Sequence, residues 1–300
     1  MLARRQFSLG FGVTVVAGAM ARSAGAAQAQ DRAWSQELHR RFGEIEARSG
    51  GRLGIGILDT QTGCLAGYRG DERFPMCSTH KALSAAAVLA KVDQGREHLD
   101  RRMHFEAEQV LPYSPGTKAH AGAEGMAIAS ICEAAVTLSD NTAANLMLDA
   151  IGGPAGLTTY LRGIGDTVTR LDRTEPTLNE ALPGDPRDTT SPLAMAVDLN
   201  RVVLGDALSP ASRELLATWL VAGKTGDARL RAGVPQGWRV GEKTGTGTRG
   251  TANDVGVIWP PDRKPVIVAA FITGSNVTLE GQSVAIADAA RAIVLALPDC

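Results

Sequence analysis

The order of apolar patterns along the chain predicts an α+β or α/β fold in two parts, a five-stranded antiparallel sheet flanked by helices plus an inserted all-helical block. Two strand patterns follow the first helical pattern and three more precede the last one, so both ends of the chain would supply one sheet. We expect residues 30–68 and 222–300 to form the sheet-bearing part and residues 69–221 the helical part, with the functional site between the two.

The sheet-bearing part begins with an amphipathic helix over residues 31–49, whose apolar positions recur at helical spacing at Trp34, Leu38, Phe42 and Ile45. Arg52–Thr60 then alternates as a strand does, and Cys64–Tyr68 returns after a Gly-containing turn, which predicts a β-hairpin. The remaining strands and the closing helix are predicted at Trp238–Lys243, Thr251–Trp259, Pro265–Thr273 and Gln282–Leu297.

The inserted block is predicted to be helical at Ile128–Leu138, Thr142–Ile151, Gly152–Gly165, Pro192–Val203 and Pro210–Val221. Residues 171–192 contain four prolines, which exclude a long helix or strand. An irregular segment of this length in a compact domain is usually functional. Its interior holds Glu175 and Asn179, and an Arg173–Asp188 pair would pin the ends of this loop, 171–188. A solvated loop carboxylate is the alternative for Glu175.

Length, charge and cysteine spacing limit the classes of function. The 300 residues allow one large domain or two small ones, and a net charge of −1 suggests neither a nucleic-acid partner nor a polybasic membrane surface. No zinc site is predicted, because the five histidines do not cluster with the cysteines, which are Cys64, Cys77, Cys132 and Cys300.

Residues 1–29 have the composition of an export signal, with a basic start, an apolar run of moderate length and small residues before a cut after Ala29. The segment is too short and too rich in glycine for a membrane span. Arg4-Arg5 and the residues after it favour the twin-arginine route, with a general secretory signal as the alternative. Because a twin-arginine substrate folds in the reducing cytoplasm, we expect mostly free thiols.

Phe74–Gly95 has the pattern of a turn, a helix N-terminus and a long apolar helix that ends at Gly95. Ser78 and Lys81 are three residues apart, so on a helix both side chains leave the same face. Ser78 also lies where free backbone N–H groups favour developing negative charge. A hydroxyl with an amine one turn away suits a nucleophile and its base, whereas an N-cap serine followed by a surface lysine is the alternative.

Two further polar motifs stand near apolar segments. Ser139-Asp140-Asn141 is costly to bury without partners, although it would also serve as a simple helix N-cap. Lys-Thr-Gly occurs at Lys224-Thr225-Gly226, without the glycine that a phosphate-binding loop needs, and at Lys243-Thr244-Gly245, without the helix and acid of a dinucleotide site. The second occurrence instead suits a strand edge that holds a carboxylate, with a surface lysine as the alternative.

Taken together and in order, four motifs resemble those of the class A serine β-lactamases, namely Ser78-x-x-Lys81, Ser139-Asp140-Asn141, Glu175-Pro176-x-x-Asn179 and Lys243-Thr244-Gly245. The resemblance covers essentially all of the chain after the export signal. It implies the serine β-lactamase/DD-peptidase-like fold, hydrolysis of the β-lactam amide of penicillins and cephalosporins, β-lactam resistance, and no metal or cofactor.

The resemblance also implies catalytic roles. Ser78 would attack the β-lactam carbonyl, with the backbone N–H groups of Ser78 and Thr246 as the oxyanion hole. Lys81 and Glu175 would share proton handling in acylation, and Glu175 would activate the water that hydrolyses the acyl-enzyme. Ser139 would relay a proton to the leaving nitrogen, and the Glu175–Pro176 bond is expected to be cis.

The remaining side chains of the resemblance would bind substrate. Those assigned to the substrate carboxylate are Lys243, Thr244, Gly245 and Thr246, with Arg229 preferred over Arg249 as a further arginine. Asn141 would hydrogen-bond the acyl side-chain amide, Asn179 would help Glu175 to hold the water, and Tyr113 would stand at the mouth of the cleft.

Three positions depart from the family pattern. Position 85 is alanine, so Cys132 lacks the partner that many members have. Cys77 finds no cysteine at Gly247, which weakens a carbapenem-hydrolysing interpretation. His80 is unusual inside the Ser-x-x-Lys motif, and we expect it to pack under the strand face without a catalytic role.

A penicillin-interactive D-alanyl-D-alanine peptidase and a β-lactam sensor domain are the alternative functions. The peptidase would lack the loop that carries Glu175, and the sensor would require loss of that residue together with a membrane anchor. The resemblance further implies a bacterial, periplasmic or secreted monomer that acts on small-molecule β-lactams and has no nucleic-acid or membrane partner.

Overall fold

The computed structural model describes residues 36–122 and 124–297. The chain divides into two compact units, Met1–Glu37 and Leu38–Cys300, and the first unit contributes only the helical residues 36–37 to the described part. The predicted export signal, Trp34 and Cys300 lie outside the described residues. Within the described ranges, no helix combines the length and apolar character that crossing a membrane requires.

Five strands of the described part form one antiparallel sheet. In chain order they are β1 (Arg52–Asp59), β2 (Cys64–Tyr68), β3 (Arg239–Gly247), β4 (Thr251–Trp259) and β5 (Val266–Thr273). Their spatial order is β2-β1-β5-β4-β3, so the N-terminal hairpin joins the C-terminal strands through the β1–β5 pair, and β3 is an edge strand. The predicted sheet, built from both ends of the chain, is confirmed.

Helices surround this sheet and fill the middle of the chain. They are α1 (residues 38–49), α2 (His80–Asp93), α3 (Ile128–Thr137), α4 (Asn141–Ile151), α5 (Gly153–Gly163), α6 (Pro192–Leu199), α7 (Pro210–Val221), α8 (Leu230–Gly233) and α9 (Leu279–Ala296). Short 3-10 turns occupy Cys77–Thr79, Ala107–Gln109, Lys118–His120 and Thr177–Glu180, and a π-helical turn covers Asn200–Leu204. Two-residue strands pair Phe74–Pro75 with Thr189–Thr190 and Arg102–Met103 with Met126–Ala127.

Helix α2 is buried along most of its length, because small and apolar residues follow Lys81 on nearly every side. All residues from His80 to Ala90 are buried. Each large aliphatic side chain buried in this way contributes roughly 1.5–3 kcal/mol, so the helix is a firm support for side chains at its N-terminus. Gly95 has φ +66 and its N–H donates to the carbonyl of Val92, which ends the helix at the predicted glycine.

Several boundaries differ from those that the sequence pattern predicts, among them the closing helix, which begins at Leu279 rather than Gln282. Strand β3 continues beyond Lys243 to Gly247, because its backbone pairs with β4 as far as Thr251. The predicted helix Pro192–Val203 is α-helical only to Leu199 and then widens into the π-helical turn. The extension of β3 matters for the site, since it makes Lys-Thr-Gly part of the sheet edge.

Candidate active site

Ser78 lies in the 3-10 turn that leads into α2. Asn253 on β4 donates to the carbonyls of Pro75 and Met76 at 2.8 and 3.0 Å, and the Met76 N–H donates to the carbonyl of Asp188 at 2.9 Å. The turn is therefore tied to the sheet on one side and to the loop of residues 171–188 on the other, which fixes the serine hydroxyl on rigid neighbours.

The triplet Ser139-Asp140-Asn141 supplies a helix N-cap, and its first two residues are also buried. Asp140 caps α4 by accepting the N–H of Ala143 at 2.8 Å. Ser139 has φ +61 and Cys77, next to Ser78, has φ +48, left-handed conformations that cost of order 1–3 kcal/mol in non-glycine residues and cluster at functional sites. The helix-capping residue and the residue with left-handed backbone are thus neighbours in the same triplet.

Glu175 is buried because its loop is anchored on both sides. Arg173 Nε donates to Asp188 Oδ2 at 2.6 Å, which is the predicted pin between the loop ends. Asn145 on α4 clamps the Glu175 backbone, donating to its carbonyl and accepting from its N–H, each at 2.9 Å. The Glu175–Pro176 bond is cis, as expected. With 2% of its surface exposed, Glu175 is not a solvated loop carboxylate.

The candidate catalytic side chains contact one another through the Glu175 carboxylate. Ser78 Oγ donates to its Oε1 at 3.1 Å, and Lys81 Nζ lies 2.9 Å from the same oxygen. Asn179 Nδ2 donates to Oε2 at 2.5 Å. Lys81 Nζ also donates to the carbonyl of Ser139 at 2.9 Å and to Oδ1 of Asn141 at 2.8 Å. The Ser78 hydroxyl is therefore bonded directly to the carboxylate.

His80 occupies a place that the sequence did not suggest. It was expected to pack under the strand face, but the structure places its Nε2 3.7 Å from Glu175 Oε1. Its Nδ1 lies 3.1 Å from the hydroxyl of Ser84, one turn along α2. The helix that carries the nucleophile and the lysine therefore also brings an imidazole against the carboxylate.

Charge and burial shift the pKa values of this cluster in opposite directions. Burial raises the pKa of Glu175, but the His80 ring and the Lys81 charge outweigh it and hold that pKa well below its usual range. Burial lowers the pKa of Lys81, with Glu175 opposing, and burial followed by the Lys81 charge lowers the pKa of Lys243 well below its usual value. The site thus combines a carboxylate whose ionised form is favoured with two lysines whose charged forms are disfavoured by burial.

The edge strand β3 forms the opposite wall. Lys243 Nζ donates to Ser139 Oγ at 3.0 Å and to the carbonyl of Thr244 at 2.9 Å. The buried Arg229 donates to Thr246 Oγ1 at 2.8 Å. A Cβ on Gly247 would lie 2.7 Å from the sulfur of Cys77, so only glycine lets this strand approach the turn of the nucleophile so closely.

A cavity of about 540 Å³ opens between these elements. Its lining includes eight residues that the sequence proposed, Ser78, Tyr113, Ser139, Asn141, Asn179, Arg229, Thr244 and Thr246. Buried beside it are Lys81, Glu175, Lys243 and Gly245. Arg249, the rival of Arg229, instead lines a separate cavity and donates to the carbonyl of Glu180.

Sequence reasoning missed several contributors to the site. Lys224, Thr225 and Leu279 also line the cavity, and Thr225 Oγ1 lies 2.6 Å from Thr244 Oγ1. The first Lys-Thr-Gly was dismissed as a false phosphate loop, although that stretch supplies two of these residues. Asn145 gave no signal of its own, because its role depends on a loop 30 residues away.

The two buried thiols, Cys77 and Cys132, are free, in line with the prediction of mostly free thiols. Neither has a disulfide partner within residues 36–122 and 124–297. Burial raises the pKa of both Cys77 and Cys132, so these two thiols stay protonated and unreactive.

Comparisons with known proteins place this geometry in context. The family model of the beta-lactamase enzyme family matches residues 37–297. The chain is 44% identical to the β-lactamase OXY-2 of Klebsiella oxytoca, covering 85% of this chain and 88% of that protein, and 45% identical to the β-lactamase AST-1 of Nocardia asteroides, covering 86% and 83%.

Solved structures agree with these relatives. An ancestral class A β-lactamase (GNCA) superposes with a TM-score of 0.86 at 62% identity, covering 87% of this chain and 100% of that chain. A putative class A β-lactamase, PenP from Rhodopseudomonas palustris, superposes with a TM-score of 0.85 at 58% identity, covering 87% and 99%.

Proposed function

The chain belongs to the class A β-lactamases of the beta-lactamase enzyme family, and from that membership we propose a role for each residue of its site. The protein hydrolyses the β-lactam amide of penicillins and cephalosporins and so confers β-lactam resistance. The observation that carries the assignment of residues is the buried Glu175 carboxylate, 3.1 Å from Ser78 Oγ and 2.9 Å from Lys81 Nζ.

In acylation, Ser78 Oγ forms a bond to the lactam carbonyl carbon while its proton passes to Glu175, with Lys81 sharing the transfer. The backbone N–H groups of Ser78 and Thr246 stabilise the oxyanion. The C–N bond then breaks as Ser139 Oγ gives its proton to the nitrogen, and the proton that Glu175 took from Ser78 passes through Lys81 to Ser139, which leaves Glu175 ionised again. Lys243 donates to Ser139 Oγ at 3.0 Å and orients this relay. The product of this half-reaction is an ester on Ser78.

In deacylation, Glu175 takes a proton from a water molecule as the water oxygen bonds to the acyl carbon. The Ser78 oxygen leaves the acyl carbon and regains a proton, so one water is consumed for each ring opened. Asn179, 2.5 Å from Glu175 Oε2, orients the carboxylate and helps to hold the water.

The β3 edge binds the substrate carboxylate. We assign this role to Lys243, Thr244, Gly245 and Thr246, with Arg229 supporting Thr246 through the 2.8 Å hydrogen bond to its hydroxyl. Asn141 faces the acyl side-chain amide, and Tyr113, 61% exposed on the lining, forms the mouth of the cavity.

Turnover of nitrocefin and trapping of the acyl-enzyme test these roles together. Ser78→Ala abolishes hydrolysis. Glu175→Ala is expected to slow deacylation about 10²–10⁴-fold and to accumulate a mass increase on Ser78, because no base activates the water. Glu214→Ala, which removes an exposed carboxylate on α7, serves as the control and retains turnover. A Glu175→Ala enzyme with normal penicillin turnover contradicts the assignment, and a single burst from the unmodified protein favours the peptidase or sensor instead.

We further propose a periplasmic or secreted monomer, exported by the twin-arginine route on the strength of Arg4-Arg5. Cell fractionation after replacement of both arginines by lysine tests the route, and size-exclusion chromatography tests the monomer. Residues 30–68 with 222–300 remain the proposed sheet-bearing part, and residues 69–221 remain the proposed helical part.

A further inference from the structure

His80 is a buried titratable residue that the proposed mechanism leaves unused. Its side chain is fully buried at the first residue of α2, whereas the other histidines, His39, His98, His104 and His120, are exposed. Within the described part of the chain, its Nε2 has no hydrogen-bond partner. A buried polar atom without a partner calls for a physical explanation, and the nearest carboxylate oxygen, Glu175 Oε1, lies 3.7 Å away.

The contact between Ser84 and Nδ1 identifies the ring nitrogen that carries the proton. If Nδ1 were the donor, the Ser84 hydroxyl hydrogen would have no acceptor among residues 36–122 and 124–297, and the Nε2 lone pair would face a carboxylate. If Ser84 donates to Nδ1, the hydrogen sits on Nε2 and points at Glu175. This tautomer gives the Ser84 hydroxyl an acceptor and directs an N–H, rather than a lone pair, at the Glu175 carboxylate.

We propose that His80 is a positioning residue for the deacylation base, with its Nε2–H directed at Glu175 Oε1. The proposal rests on the function proposed above. Ser78 and Lys81 approach the same oxygen at 3.1 and 2.9 Å. At 3.7 Å the imidazole contributes a dipole facing a charge rather than a full hydrogen bond, in a buried site where such interactions are strong and where catalytic contacts tighten in the complex.

The consequence concerns the pH range of the enzyme. Glu175 must be ionised to take a proton from water, and a donor on Oε1 stabilises the ionised form. The charged groups that act on His80 are Glu175 itself, Lys81 and Lys243. Loss of the N–H raises the pKa of Glu175. On acidification the carboxylate therefore takes up its proton at a higher pH, and deacylation stops at that higher pH.

Two substitutions distinguish the effect of the Nε2–H donor from the effect of the planar ring. His80→Phe keeps a planar ring without an N–H, and His80→Gln places an amide N–H near the position of Nε2. We expect the acid limb of kcat for a penicillin to move up by about 0.5 pH unit or more in His80→Phe and to stay near the wild-type position in His80→Gln. On acidification, acyl-enzyme then accumulates at a higher pH in the phenylalanine variant than in the unmodified protein, as acid quench and mass spectrometry would show.

Kinetic parameters distinguish this role from a merely structural one. Slower deacylation lowers kcat and KM together, whereas partial misfolding lowers kcat through the active fraction and leaves KM and the acid limb unchanged. Val88→Ala is the matched control, because Val88 is fully buried on the same face of α2, two turns further on. It should lower the melting temperature without moving the acid limb.

Two results would overturn the proposal. One is an acid limb in His80→Phe that superimposes on that of the unmodified enzyme, and the other is an equal shift in His80→Gln. If the phenylalanine variant does not fold, ¹⁵N NMR of the histidine rings in the unmodified protein tests the tautomer directly. A buried ring protonated at Nε2 supports the assignment, and one protonated at Nδ1 refutes it. Absence of nitrocefin turnover in the unmodified protein would instead overturn the proposed function.

Discussion

Two buried carboxyl groups of this protein, Glu175 in the loop and Asp198 in α6, have opposite ionisation. Their exposed fractions are 2% and 0%, and burial raises the pKa of both. At Glu175 the His80 ring and the Lys81 charge outweigh burial and hold the pKa well below its usual range. At Asp198 the neighbour is a second carboxyl, Asp166, and the two effects raise the pKa of Asp198 to about 9.

The contrast shows that burial alone does not make a base or an acid. The raised pKa keeps the proton on Asp198 beside Asp166, and Asp166 accepts the backbone N–H groups of Val168 and Thr169. Glu175 is held in its ionised form by the His80 ring and by Lys81, whose Nζ lies 2.9 Å from Oε1. The two sites also differ in how they are built, since Asp198 is buried by a helix whereas Glu175 is buried by a loop held with ion pairs.

Lys81→Ala should give the largest effect, because it removes a positive charge that lowers the pKa of Glu175 and that Asp198 lacks at this distance. Without the ammonium, only the His80 ring still opposes the effect of burial, so the pKa of Glu175 rises. We expect kcat/KM for a penicillin to fall by about 10²–10⁴-fold at neutral pH, as measured by steady-state hydrolysis.

Lys91→Ala provides the matched control on the same helix. Lys91 also donates to a backbone carbonyl, that of Ala150 at 2.7 Å, but it lies near the far end of α2 and not on the cavity lining. Its removal should leave kcat/KM near the wild-type value. Retention of full activity by Lys81→Ala would mean that the ammonium is not what keeps Glu175 ionised.

The sequence predicts the fold well where local patterns suffice. Apolar β-favouring runs bounded by turn residues gave β1, β2, β4 and β5 nearly to the residue, because β1, β4 and β5 are buried on both faces and their ends are marked by Gly- and Pro-containing turns. It failed where tertiary pairing decides, as at β3, whose extension to Gly247 depends on hydrogen bonds with β4. The π-helical turn after Leu199 likewise has no local signal.

The candidate site follows the same division. Motif residues such as Ser78 and Glu175 were proposed from spacing and resemblance, and their side chains meet at 3.1 Å. The surroundings of His80 depend on a carboxylate 95 positions away, and the clamp of Asn145 depends on the backbone of Glu175, 30 positions away. Nothing in the neighbouring sequence encodes either contact, so only the folded chain reveals them.

Arg173→Ala tests whether the loop anchors keep Glu175 buried, and should have an intermediate effect. Arg173 pairs with Asp188 at 2.6 Å and Glu180 at 2.7 Å, while Asp188 keeps two backbone N–H donors after the change. We expect a loss of about 2 kcal/mol in urea unfolding and about a tenfold fall in kcat as Glu175 loses its fixed position.

Arg187→Ala is the control for the anchor, because Arg187 forms an exposed pair with Asp185 in the same loop. Exposed pairs of this kind contribute little, so its unfolding free energy should change by less than about 0.5 kcal/mol. Equal effects of the two substitutions would argue that any perturbation of the loop displaces Glu175, with no special role for the Arg173 anchor.

Asp198→Asn should have the smallest effect, confined to the pH dependence of stability. The folded chain holds the Asp198 proton to about pH 9, whereas the unfolded chain loses it near pH ~3.9. Between these values the folded state binds the extra proton, so the contribution of Asp198 to stability declines as pH rises. Asparagine cannot ionise, so urea unfolding should show the variant gaining roughly 2–3 kcal/mol over the wild type between pH 6 and pH 8. A constant difference between the two proteins would mean that folded Asp198 is already ionised, and the contrast with Glu175 would then disappear.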